Sequence, residues 1–163
     1  MTATNGTASA LSMPSDTEIT MGRVFDAPRE MVFRAYTDPE LIAKWWGPRQ
    51  YSTVVDQMDV RPGGTWRFIN RGPDGTDFAF NGVYREVVPP ERIVNTFEFE
   101  PMPGHVSVET TVFEELEGDR TRVRMHVQFD NVDDRDGMVS SGMETGWTES
   151  MERLTELLAT LKA

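Results

Sequence analysis

The chain has 163 residues, 38% hydrophobic and 26% charged, with a formal net charge of -11 at pH 7 and no cysteine. That length fits one domain with a real core. No apolar run nears the ~20 residues of a membrane-spanning helix. The start of the chain also lacks the basic and then continuously apolar pattern of a secretory signal, so a cytoplasmic protein is expected. The acidity repels phosphate backbones and anionic lipid, which argues against nucleic-acid and membrane partners. Without cysteine there are no disulfides, no thiolate catalysis and no cysteine metal site.

Residues 1–16 are rich in Thr, Ala, Ser and Asn without periodicity and read as a disordered tail. Residues 17–163 read as a single domain. Glu18-Ile-Thr-Met-Gly-Arg-Val-Phe25 alternates as a first strand. Asp26 is placed to cap the following helix, with Pro28 near its first turn. Met31, Val32, Ala35 and Tyr36 then form an apolar stripe. Asp38-Pro39-Glu40 opens a second short helix that carries Leu41, Ile42, Trp45 and Trp46, and Gly47-Pro48 ends it. Adjacent helical residues point about 100° apart, so the two tryptophans cannot both face one core. One ring is expected in the junction and the other near a cavity entrance.

From there the period falls to two. A strand over 53–60 meets the turn Arg61-Pro-Gly-Gly64, and Thr65-Trp-Arg-Phe-Ile-Asn70 puts Trp66, Phe68 and Asn70 on one face. Gly72-Pro-Asp-Gly75 is a hairpin turn. Residues 78–88 follow with Phe78, Phe80 and Tyr84 on one side, and Pro89-Pro90 breaks the run. Residues 92–100 align Ile93, Asn95, Phe97 and Phe99. Over 106–116 the apolar alternation places Val106, Val108, Thr110 and Val112 inward. Over 121–129 it places Val123, Met125, Val127 and Phe129 inward and His126 outward. The last element reads as one helix over 134–161 with Met143, Trp147, Ser150, Met151, Leu154, Leu157, Leu158 and Leu161 on one face. Gly142 and Gly146 lie beside that stripe. Helical glycine is costly, so the pair marks close backbone approach or space left open.

The order is strand, two short helices, six strands, long helix. One apolar sheet face has one helix large enough to cover it. The economical solution is an α+β fold in which a curved antiparallel sheet of about seven strands grips the C-terminal helix. A cavity between the two is the by-product.

Phe25-Asp-Ala-Pro-Arg-Glu-Met-Val-Phe33, Asp38-Pro-Glu-Leu, Trp45-Trp-Gly-Pro48, Asp59-Val-Arg-Pro-Gly-Gly64, the run from Gly82 to Ile93, and Gly142-Met-Glu-Thr-Gly-Trp147 cover nearly all of the chain after the tail. In number and order they resemble the SRPBCC (START-like) superfamily with the helix-grip fold, in the branch related to the C-terminal domain of the activator of the heat-shock-protein-90 ATPase. The resemblance implies hydrophobic-ligand binding, polyketide cyclase or aromatase activity, antibiotic sequestration or chaperone assistance, and the fold does not choose among them. Bacterial members of the branch are mostly single domains, which disfavours the chaperone role.

The expected cavity lining is Trp46, Trp66, Phe68, Phe78, Phe80, Tyr84, Phe97 and Phe99, completed by Val108, Met125, Met143 and Trp147. Aromatic walls suit flat apolar ligands, and methionines make such walls adaptable. Asn95 and Thr110 would orient a ligand carbonyl or hydroxyl, and His105 sits in a loop near the mouth. No histidine or carboxylate spacing makes a metal site, Gly63-Gly64 is followed by no helix that could hold a phosphate, and hydrolase signatures are absent. The expectation is a cofactor-free monomer or weak homodimer that binds a hydrophobic small molecule. The alternatives are a cyclase-like enzyme using Tyr84, His105 or Asn95, and a chaperone-related interaction module.

Overall fold

The computed structural model describes residues 10–162; residues 1–9 of the expected tail lie outside them. Eight strands, β1 (Ala10–Ser12), β2 (Glu18–Phe25), β3 (Ser52–Met58), β4 (Thr65–Arg71), β5 (Asp77–Val88), β6 (Arg92–Phe99), β7 (Val106–Leu116) and β8 (Arg120–Gln128), form one antiparallel sheet. The helices are α1 (Arg29–Thr37), α2 (Pro39–Ile42), α3 (Val132–Ser140) and α4 (Met143–Lys162). The sheet order β1-β2-β8-β7-β6-β5-β4-β3 is a meander from β3 to β8 whose last strand closes against β2. This is the α+β helix-grip architecture, with one strand more than expected.

The additional strand falls in the segment read as tail. β1 pairs with β2 in the register Ala10 to Gly22 and Ser12 to Thr20, and the hydroxyls of Ser12 and Thr20 share a 2.6 Å hydrogen bond. Three residues are too few to show a two-residue period, so the strand left no pattern to find.

Two helix expectations also change. Asp26 does not cap α1; Pro28 occupies that position without a side-chain bond, and Asp26 accepts instead from Lys162 Nζ through its carbonyl at 2.7 Å. The single long helix is two. Gly142 has φ +89°, a left-handed conformation that costs glycine little, and it breaks the chain between α3 and α4. The 3.6-residue period runs through the break, which is why the pattern reads as continuous. α2 starts as its sequence predicts, with the Asp38 side chain accepting from Glu40 N at 2.9 Å.

The buried residues form two clusters. The larger joins α1, α2 and the C-terminal half of α4 to the sheet through Phe25, Val32, Phe33, Trp45, Phe113, Val123, Leu154 and Leu158. The smaller gathers Ile19, Met21, Val127 and Phe129 under α3 and the start of α4, with Met125, Met138 and Met143 against it. Trp147 touches both.

Candidate functional site: an aromatic wall and a polar seam

The Trp45-Trp46-Gly47-Pro48 segment is seated on α4 by polar bonds. Trp45 is buried and donates from Nε1 to the Ala35 carbonyl at 2.9 Å. Gly47 N–H donates to Ser150 Oγ at 2.9 Å. Arg153 donates to the carbonyls of Lys44, Gly47 and Pro48 at 3.0, 2.9 and 3.2 Å. Thr53 donates to the Trp46 carbonyl. A Cβ on Gly47 would come within 2.8 Å of Asn70 Oδ1, so this approach and its φ of +97° both require glycine. With Trp45 fixed in the junction, Trp46 turns onto the sheet and packs edge-to-face on Phe68 and Phe80, at centroid distances of 5.1 and 5.2 Å.

Residues directly opposite one another across antiparallel strands share a face. Phe68 opposes Phe80, and Phe80 opposes Phe99. Trp66 opposes Gly82, and a Cβ there would lie 2.5 Å from Trp66 Nε1 and 1.9 Å from the Thr96 carbonyl. The glycine therefore makes room for the indole. Tyr84 opposes Asn95, and Asn95 opposes Glu109. The seven sheet aromatics expected on this face are thus on it together. Trp66, Phe68 and Tyr84 are buried, whereas Phe78, Phe80, Phe97 and Phe99 keep part of their surface. Their rings lean the same way, with interplanar angles of 31–35° among Phe80–Phe99, Phe80–Phe97 and Phe78–Phe99.

β7 carries the main correction. Val123 on β8 faces inward and pairs with Phe113, so the inward set of β7 is Ser107, Glu109, Thr111 and Phe113. Val108 and Thr110 pair with Gln128 and His126 on the opposite face, away from the concave side, and neither can line a cup there. Valine and threonine suit a pleated, half-exposed outer surface equally well. A signal in the sequence does identify the right phase. The short turn after Leu116 fixes the hairpin register, and the inward Val123 then selects Phe113 and with it Glu109.

A polar seam therefore runs between the two apolar clusters. Asn95 Nδ2 donates to Glu109 Oε1 at 3.2 Å. Burial pushes the Glu109 carboxyl up to about 7, with the Asn95 bond opposing only part of that rise. Tyr36 of α1 faces the same region. Its hydroxyl is raised by burial and by the negative charge of Glu109, and it donates to Met151 Sδ at 3.9 Å. Ser107 Oγ and Trp66 Nε1 are buried without a hydrogen-bond partner among the described residues. Such orphans are costly in a finished core and ordinary where a ligand or water completes them.

The remaining candidates sit around this seam. Met125 is part-buried against the smaller cluster, and Met143 and Trp147 cover it from α4. His105 is exposed, and its Nδ1 lies 2.7 Å from Asp134 Oδ1 at the start of α3, so it fastens that helix rather than entering the cup. The Tyr84 hydroxyl is raised by burial first and by Asp59 second. Two surface grooves, of ≈330 and ≈310 Å³, run along the C-terminal half of α4 and include no residue of the seam. Among the described residues no group of three or more acidic, histidine or cysteine side chains is placed to hold a metal, and no helix is long and apolar enough to cross a membrane.

A sheet gripping one long helix, with an aromatic and partly polar concave face, defines the helix-grip class of protein. Residues 26–159 match the family model described as Activator of Hsp90 ATPase homolog 1-like protein, and the chain belongs to that family. Solved structures agree. A Rhodobacter sphaeroides protein matches with a TM-score of 0.86 at 25% identity, covering 94% of this chain and 99% of its own. A Chromobacterium violaceum protein matches with a TM-score of 0.78 at 30% identity, covering 90% and 98%. The AHSA1 protein of Silicibacter pomeroyi matches with a TM-score of 0.74 at 24% identity, covering 88% and 98%, which shows the shared fold. No curated protein matches the sequence.

Proposed function

We propose that the chain binds an aromatic or polycyclic small molecule at the open end of its concave face, under the first turns of α4. One observation carries this reading: Phe78, Phe80, Phe97 and Phe99 form a continuous wall that stays partly exposed, while Trp66, Phe68 and Tyr84 of the same face are buried. A contiguous exposed aromatic surface is unfavourable in water and is typical of a ligand site. Flat rings would stack on the wall, and Trp147 and Met143 would close over them. Thermal-shift titration with naphthalene- and anthracene-based probes tests this. A binder at 100 times its Kd raises stability by about 2.7 kcal/mol, and Phe80→Ala or Phe99→Ala removes the shift. A crystal structure in which side chains fill the open end would overturn the reading.

Glu109 favours a second reading, a cyclase-like enzyme. A carboxyl held near neutrality in an apolar setting suits proton transfer, and it is a better candidate than Tyr84 or His105. Turnover of a polyketone substrate that is lost in Glu109→Gln, with binding retained, would select it.

A further inference from the structure

We propose that the small molecule taken up by this chain carries a protonated amine, received by Glu109 at the polar seam with the neighbouring rings around it. The inference rests on the reading of the open end as a ligand site and names the ligand's chemistry.

Glu109 is a carboxylate set among apolar groups. Its partners across the sheet are Asn95 and Val127, and the Asn95 amide supplies its hydrogen bond. A carboxylate offers about four acceptor positions, so most of its capacity remains open. No ion pair to Glu109 occurs among the described residues. A part-buried charge without a charged partner is unfavourable, and a cation supplied by the ligand would be the missing partner.

The surroundings favour an ammonium over other donors. Ser107 lies two residues along on the same face, about 7 Å away at strand spacing, and its buried hydroxyl is unpartnered. One small ligand spans both positions. Phe97 stands opposite Ser107, next to Asn95 in the β6 row, and aromatic faces near a carboxylate form the usual cage for alkylammonium groups. The net charge of -11 draws cations toward the protein and repels anions.

The other groups packed here do not compete. Tyr36 approaches from α1 with its proton retained by burial. The inward residues of α4 at this level, Trp147 and Met151, are uncharged. On β2, Ile19 lies level with Val127 and Glu109, and Arg23 is four residues further along, where the charge of Glu152 acts on it. Because burial raises the Glu109 carboxyl to about 7, an arriving ammonium would ionise it and release one proton below that pH.

Isothermal titration with three matched probes tests this: 2-naphthylmethylamine, 2-naphthylmethanol and 2-naphthoate, at pH 6 and pH 8. The amine, with a pKa near that of other alkylamines at ~10, stays charged throughout. It should bind about tenfold more tightly than the alcohol at pH 8. That advantage should shrink toward pH 6, by about tenfold per unit once Glu109 is protonated, and the carboxylate should bind worst. Glu109→Gln should abolish the amine's advantage over the alcohol. In the unaltered protein, the 13C titration of the Glu109 carboxyl should move to lower pH when the amine is bound. Equal binding of amine and alcohol, or a preference that survives in Glu109→Gln, overturns the inference while the aromatic site stands. Failure of all three probes overturns both.

Discussion

At one end of the concave face Phe25, Phe113, Val123 and Leu154 are at most 1% exposed. At the other, Phe78, Phe80, Phe97 and Phe99 of the same sheet remain partly open. The aromatic residue type is shared, so the contrast comes from the third layer. α1 and α2 bring Val32, Phe33 and Trp45 onto the first end and complete it together with the C-terminal half of α4. Beyond the break at Gly142 the chain supplies only α3, which serves the β2–β8 side, and the open wall keeps the single rings of Trp46 on Phe80 and Tyr51 on Phe78. An inward aromatic thus becomes core or wall according to what is laid over it, and a strand pattern cannot distinguish the two.

Truncation at each end is the strongest way to break that comparison. Phe113→Ala should cost about 4 kcal/mol, in the range for a fully buried phenylalanine. It removes the ring that packs on Phe33 at 5.2 Å and Tyr36 at 5.0 Å. Phe99→Ala should cost about 1 kcal/mol, since its ring is already partly solvated. Urea denaturation reads both. Equal losses would mean that the open end is as well packed as the closed one.

Much of this fold was legible because its strands alternate and its turns are marked. The inward rows of β4, β5 and β6 follow from Trp66, Phe68, Phe78, Phe80 and Phe97 alone. The site was less legible because its centre departs from the pattern. On β7 the apolar phase is the outer one, and the inward phase holds Ser107, Glu109 and Thr111, which resemble a solvated edge. Polar residues at core positions are where pattern reading fails and where function tends to lie. Only pairing with β8 identifies them. The break at Gly142 was hidden for a different reason: one glycine changes direction without disturbing the helical period on either side.

The seam offers a second contrast, between stability and readiness to bind. Glu109 holds its proton to about 7 when folded, against 4.5 as an ordinary carboxyl. The folded chain therefore binds more protons than the unfolded chain between those values, and its stability falls as pH rises through that window. Glu109→Gln removes this cost. Because the residue is only part-buried, the gain should fall below the full difference, at about 2 kcal/mol at pH 8, with little change at pH 4. Thermal denaturation across that range checks it, and a gain that does not depend on pH would rule out the buried carboxylate as its source. Ser150→Ala belongs to the closed end. It leaves the Gly47 N–H without its buried acceptor, so about 1–2 kcal/mol should be lost at every pH.

The smallest expected effect concerns the rim. His105 is exposed, and its bond to Asp134 ties the loop before β7 to the first turn of α3. Asn131 caps the same turn by accepting from Asp134 N at 2.8 Å, so α3 retains its start without the histidine. Exposed pairs of this kind contribute about 0.2–1 kcal/mol and weaken in salt. His105→Ala should therefore shift the denaturation midpoint only slightly, and less at high ionic strength. Hydrogen exchange gives the sharper reading, because α3 contains no fully buried residue and its opening is local. The amides of α3 should exchange faster in His105→Ala while those of α4 are unchanged. Faster exchange in both helices would mean that the rim and the closed end open as one unit, and the two ends of the concave face would no longer be independent.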